Sequence, residues 1–230
     1  VTDELPPGGV PVDEADLDAR WAHCWHPREV AARLEGVTAP WYVAAGWALD
    51  LFRGSQSRPH SDLEIAVPAS RFDEFRTAFA GYEFDVPAKG CLWPSTPPEL
   101  LPFSHQTWLR DPATGTFLVD VFREPHDGDT WICRRDETLR LPYTEIIERT
   151  EDGIPYLIPE LVLLFKAKKG RPKDLADLEG VLPLLDASRR ARLADWLARV
   201  HPGHAWLSLL DNAPARPSGR SERHVDLGGD

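Results

Sequence analysis

The sequence predicts an α/β (α+β) fold: a mixed sheet with flanking helices, followed by a C-terminal helical region. Three observations carry that prediction. Short strand patterns alternate with helical ones in the first half. The middle, residues 82–158, is punctuated by Pro and Gly and reads as strands. From Pro159 onward the apolar residues recur at helical spacing and the connections are short, as in a bundle. At 230 residues, the chain can bury roughly 70% of its unfolded surface in a core of its own.

In chain order, residues 1–12 are acidic and rich in Pro and Gly, and are expected to form a flexible tail. Residues 13–35 read as helical with a break near Pro27, which suits the first turn of a second segment ending at Gly36. WYVAA, from Trp41, reads as a short buried strand; it leads through Gly46 into a short helix, WALDLF, stopped by Gly54. DLEIAV, residues 62–67, alternates polar and apolar side chains and reads as a strand ended by Pro68. Phe72, Phe75, Ala78 and Phe79 follow at helical spacing, with Ser70 as the expected cap. GTFLVDVF, residues 115–122, is the clearest strand of the middle, and Asp152-Gly153 marks a hairpin. PELVLLFKAKK, PKDLADLEGVL and SRRARLADWLARV are helical, and the polar residues 212–230 are expected to be a second flexible tail. The division is therefore 13–158 for the α/β unit and 159–211 for the helices.

Composition excludes several classes. The net charge of −11 weighs against nucleic acid as the main partner, because phosphate neutralisation needs a basic face. It suits a cationic ligand, although acidity also simply aids solubility. No apolar run approaches the ~18 residues of a spanning helix, and the acidic N-terminus is the opposite of a secretory signal; a cytoplasmic protein is expected. Cys24, Cys91 and Cys133 are widely spaced with no CxxC pair, so packed thiols are expected rather than a disulfide framework or a zinc site.

The chemistry concentrates in AAGWALDLFRGSQSRPHSDLEIAV, residues 44–67. Side chains alternate along a strand, so Asp62 and Glu64 share one face. Two adjacent carboxylates cost free energy unless a cation lies between them, and hard oxygen ligands suit Mg²⁺. Asp120, inside the apolar run of residues 115–122, is the third acid, since an acid there needs a partner or a task. Taken alone, an acid-x-acid pair is most often a solvated face and Asp120 a salt-bridged acid. The small Ala45-Gly46 turn upstream shifts that balance, because it lets backbone amides and a helix N-terminus approach a triphosphate. Lys166 and Lys173 are candidates for neutralising phosphates. Arg58 and His60 either contact the nucleotide or cap the loop before the acidic strand. Asp50 reads as an exposed helix residue, Asp174, Asp177 and Glu179 as a solvated or capping face, and Asp127 and Asp129 as turn acids with a second use in binding ammonium groups.

A small turn, a helix and acid-x-acid on a strand resemble the signature of the nucleotidyltransferase (polymerase-β-like) superfamily. The run Gly46-Trp47-Ala48-Leu49-Asp50, the Arg58/His60 pair and Asp62-Leu63-Glu64-Ile65 resemble its aminoglycoside 2''-adenylyltransferase group, with residues 159–185 in support. That resemblance implies a nucleotidyltransferase-like core, ATP or another nucleoside triphosphate as substrate, Mg²⁺ as cofactor, and transfer of a nucleoside monophosphate to a hydroxyl. It implies Asp62 and Glu64 as metal ligands, Asp120 as third ligand or base, and Gly46 against the triphosphate. The acceptor it implies is a small cationic hydroxylated molecule such as an aminoglycoside, and the associated trait is antibiotic resistance. A macromolecular acceptor, tRNA or protein, and a non-catalytic nucleotide-binding role are the alternatives. Two residues depart from the group's pattern: Ala45 stands where a glycine is usual, and Glu64 replaces the commoner Asp.

Overall fold

The computed structural model describes residues 5–212. The chain opens with β1 (Val10–Pro11), α1 (Glu14–Trp21), α2 (Pro27–Arg33), β2 (Tyr42–Val43), α3 (Ala45–Arg53), β3 (Glu64–Pro68) and α4 (Phe72–Ala78). The middle holds β4 (Glu83–Ala88), β5 (Cys91–Trp93), β6 (Gln106–Arg110), β7 (Phe117–Glu124), β8 (His126–Asp127), β9 (Thr130–Cys133) and β10 (Asp136–Pro142). A short α5 (Tyr143–Ile146) leads into the hairpin of β11 (Ile147–Arg149) and β12 (Pro155–Leu157). Helices α6 (Pro159–Ala167), α7 (Pro172–Val181), α8 (Ala187–Val200) and α9 (Trp206–Asn212) complete it.

Nine strands form one mixed sheet in the order β1-β5-β4-β6-β7-β3-β2-β12-β11, and β10-β9-β8 form a small second sheet. Parallel pairing occurs between β3 and β7 and between β2 and β12. The central strand β7 is almost wholly buried, which is why its sequence is a near-continuous apolar run. Its one acid near the middle, Asp120, is 4% exposed. Ile65, Ala66 and Val67 of β3 are fully buried beside it. Leu161 and Leu164 of α6 and Leu193 and Leu197 of α8 belong to the same hydrophobic core as these strands.

Several local expectations need correction. The strand starts at Glu64, so Asp62 lies just before β3; the Asp120 N–H nevertheless donates to the Leu63 carbonyl at 2.8 Å and carries the alignment with β7 one residue further back. Ser70 does not cap α4: a 3₁₀ turn, Ala69–Arg71, precedes that helix, and the Ser70 hydroxyl is hydrogen-bonded to His126 at 2.7 Å. Residues 5–12 are not a free tail. Val10 and Pro11 pair with Leu92 and Cys91, and the Trp93 indole donates to the Pro6 carbonyl at 3.2 Å. Of the expected tail of residues 212–230, Asn212 is the last residue of α9; residues 213–230, like residues 1–4, lie outside the described residues. Among the described residues no helix is long and apolar enough to cross a membrane.

Candidate active site

The site begins where β2 turns into α3. The Ala44 N–H donates to the Glu64 carbonyl at 2.8 Å, so the turn is tied to the start of β3. Ala45 then adopts φ +49°, the left-handed region that costs an L-residue roughly 1–2 kcal/mol and glycine almost nothing. The chain thus keeps the glycine-like turn at the departing position. At Gly46 a Cβ would stand 2.6 Å from His60 Cε1 and 2.8 Å from Arg58 Nη2. Only a hydrogen fits there while those side chains hold their places.

They are held firmly. His60 Nε2 meets Asp50 Oδ2 at 2.6 Å, and the Ser57 hydroxyl donates to Asp50 Oδ1 at 2.6 Å. The His60 ring lies against Trp47, with centroids 4.5 Å apart. Burial lowers the His60 pKa despite the Asp50 bond. Asp50, expected on an exposed face, is buried beneath this pair. Arg58 donates twice to Asp177, at 3.4 and 3.3 Å. Lys166 reaches Asp177 at 2.8 Å and Asp174 at 3.6 Å, and Arg171 reaches Asp174 at 2.8 Å. Asp174 caps α7, as one of the two expectations had it, accepting from the Arg171 N–H at 3.1 Å; neither it nor Asp177 is solvated, and both are buried counter-ions of the basic residues above them. Burial pushes both acids up; the hydrogen bonds from Arg171 to Asp174 and from Arg58 and Lys166 to Asp177 outweigh it and hold them below the usual range. Glu179 is exposed, as expected.

Strand pairing brings two of the three acids together. Glu64 and Asp120 are direct partners in the parallel β3–β7 register, which puts their side chains on the same face. Burial raises the Glu64 pKa well above the carboxylate range, and the charges of Asp62 and Asp120 add to the effect. Burial likewise raises Asp120, to about 8, against the pull of a hydrogen bond from Gln106. Gln106 Nε2 donates to Asp120 Oδ2, while Asp120 Oδ1 is buried without a partner. Such an oxygen fits a proton or a cation, and the three acids offer the hard donors that Mg²⁺ prefers. Among the described residues, however, no group of three or more His, Cys, Asp or Glu stands in a metal-holding arrangement, so the acids alone do not form the cage that three ligands would make.

A cavity of about 430 Å³ opens over these groups. Ala45, Gly46, Arg58, His60, Asp62, Glu64, Lys166 and Lys173 all line it, whereas Asp120 sits behind the lining Gln106. Trp93, Trp108 and Trp131 do not line it, nor do Asp127 and Asp129. Residues not foreseen include His105, Gln106, Glu124, Arg134 and Arg135. Phe122 and Glu124 were readable from Asp120 by alternation along one strand. Gln106 and the arginines reach the site through pairings that carry no local signal.

Over residues 28–89 the chain matches the model of the aminoglycoside-2''-adenylyltransferase family, and its fold is similar to those of solved proteins. The solution structure of the antibiotic-resistance factor ANT(2'')-Ia superposes with a TM-score of 0.51 at 13% identity, covering 75% of this chain and 89% of the other. ANT(2'')-Ia in complex with adenylyl-2''-tobramycin gives 0.48 at 13% identity over 75% and 95% of the two chains. The lincomycin-bound lincosamide adenylyltransferase LnuA gives 0.47 at 17% identity over 74% and 96%. No curated protein matches the sequence.

Proposed function

We propose that the protein transfers a nucleoside monophosphate, AMP in the first instance, from a nucleoside triphosphate to a hydroxyl group of a small molecule. The observation that carries this reading is the pairing of Glu64 with Asp120 on neighbouring parallel strands, in register, next to a left-handed small-residue turn and a set of basic side chains. The matched adenylyltransferase family supports the adenylyl donor and the hydroxyl acceptor.

The triphosphate would lie against the Ala45-Gly46 turn, where the first amides of α3 are unpaired and the helix dipole favours negative charge. Lys166, Arg58 and Lys173 would add positive charge, the first two held in place by Asp177. Asp62 and Glu64 would hold Mg²⁺ together with phosphate oxygens, the mixed ligand set this ion commonly takes. When bound, the ion supplies charge neutralisation on the attacking and leaving oxygens. Asp120, in register with Glu64 on the neighbouring strand, would take the acceptor hydroxyl's proton. The new bond joins that oxygen to the α-phosphorus; the bond to the bridging oxygen breaks and pyrophosphate leaves.

The test is pyrophosphate release with Mg²⁺, each of the four nucleoside triphosphates and a panel of hydroxylated acceptors that includes aminoglycosides. Acceptor-dependent release is expected, abolished by chelation and reduced on the order of 10²-fold or more in Glu64→Gln and Asp62→Asn. The left-handed Ala45 favours one second reading, a nucleotide-binding protein without turnover. Nucleotide binding with no release from any acceptor would select it; absence of nucleotide binding would sink both.

A further inference from the structure

The acidic chain suggested a polycationic acceptor, but the cavity has an opposite balance. It is lined by seven basic residues against three acids, Asp62, Glu64 and Glu124. On the reading above, Asp62 and Glu64 are occupied by the metal. Glu124 is buried and already accepts from Arg134 Nε at 3.0 Å. No lining carboxylate is left to receive an ammonium group. Asp127 and Asp129, the other acids near this end, lie exposed and outside the lining.

Five of the seven basic residues, all but Lys169 and Lys173, fall into two groups. Arg58, Lys166 and Arg171 form one network with Asp174 and Asp177 beside the phosphate turn. Arg134 and Arg135 form the other. Arg134 lies over Phe122 and Phe165, with its guanidinium 5.4 and 5.1 Å from their centroids. Arg135 lies over Phe165 at 4.9 Å and donates to the Leu164 carbonyl at 3.2 Å. Among the described residues Arg135 forms no ion pair, although it is half-buried and lines the cavity. His105, beside them, is held neutral: burial lowers its pKa to about 4, and Arg134, Arg123 and Arg135 oppose its protonation. Phe122, on which Arg134 lies, is two residues from Asp120 along β7 and shares its face, so this second basic group borders the end of the site where the acceptor hydroxyl would be deprotonated.

We propose that the acceptor carries a phosphate or carboxylate group, held by Arg135 with Arg134, and is not a polycation. A planar guanidinium with no counter-ion, supported on an aromatic ring, is suited to a bidentate oxyanion. This rests on the transferase reading, and it fixes the charge class of the substrate.

Calorimetric titration tests it, with Mg²⁺ and a non-hydrolysable ATP analogue at saturation so that the phosphate turn is filled. The probes are glucose 6-phosphate, gluconate and tobramycin. At least one anion is expected to bind the wild type tenfold or more tightly than tobramycin, and comparison of the two anions separates phosphate from carboxylate. Arg135→Gln should weaken that anion tenfold or more and leave the ATP analogue within about twofold; Arg135→Lys should recover part of the loss, which a misfolded site would not. Tighter binding of tobramycin than of either anion, or no binding of either anion, overturns the proposal. So does a parallel loss of analogue and anion in Arg135→Gln, which would put Arg135 in the triphosphate site. If the analogue itself fails to bind the wild type, the transferase reading fails, and the same three titrations without nucleotide still decide the charge class of the cavity.

Discussion

Ala45 and Gly46 are adjacent, and the structure assigns them opposite constraints. Ala45 is limited by its backbone: φ +49° carries a conformational cost for a residue with a Cβ. Gly46 is limited by its surroundings, because a methyl would meet His60 and Arg58 at under 3 Å. The two substitutions therefore have opposite signs. Ala45→Gly should stabilise the protein by about 0.5–1 kcal/mol, the relief of strain less the extra freedom gained by the unfolded chain. Gly46→Ala should destabilise it by about 2 kcal/mol, since displacing His60 leaves the buried Asp50 short of a partner. It should also weaken nucleotide binding at least tenfold. Urea unfolding and nucleotide titration of both variants check this, and a Gly46→Ala protein that matched the wild type in both would mean that the turn is not the phosphate seat.

Between elements, the network of Arg58, Lys166, Asp174, Asp177 and Arg171 joins the loop after α3 to α6 and α7. Asp177→Asn removes the charge that anchors Arg58 and Lys166, and should cost about 2 kcal/mol at pH 7. The pH dependence follows from the direction of the shift. Asp177 is held below its ordinary pKa by Arg58 and Lys166, so its contribution is complete above the ordinary carboxylate value and disappears as pH falls through the lower, folded-state value. The gap between wild type and variant in urea unfolding should be present at pH 7 and close towards pH 2. A gap that persisted in acid would show that Asp177 acts through packing and not charge. This network also marks the limit of sequence reading. Glu64 and Asp120 were legible as acids on strands because alternation is local, whereas the β3–β7 register that brings them together is a pairing across the chain. Asp174 and Asp177 looked solvated because a helical DLADLE pattern does not reveal that α7 faces Lys166. Residues 5–12 looked loose because their partner, Trp93, is more than eighty residues away. Alternation along one strand was readable; the burial of Asp50 by Ser57 and His60, and the pairings across the chain, were not.

At the scale of the molecule, the boundary near residue 158 separates two styles of sequence but not two cores. Leu161, Val162, Leu193 and Leu197 share one hydrophobic cluster with Val43, Leu49 and Ile65. The last strand before the boundary, β12, pairs with β2 in the main sheet. Just after it, Glu160 is fully buried on α6, where Arg189 meets it at 3.4 Å and Arg192 pairs with it from α8. The α/β region alone would expose the face of α3 that α6 covers, and would lose Lys166 from the site. The full chain should therefore unfold in one transition, with tryptophan fluorescence and far-ultraviolet circular dichroism coincident in urea. A fragment ending at Ile158 should show no cooperative transition and no nucleotide binding. The reason is energetic: each large aliphatic side chain uncovered forfeits roughly 1.5–3 kcal/mol, and a few such losses equal the whole stability of a typical domain, about 5–15 kcal/mol. Two separated transitions in the full chain, or a fragment that folds cooperatively, would show that the helices are an accessory to a self-sufficient sheet and that the cavity wall they supply is assembled after folding rather than by it.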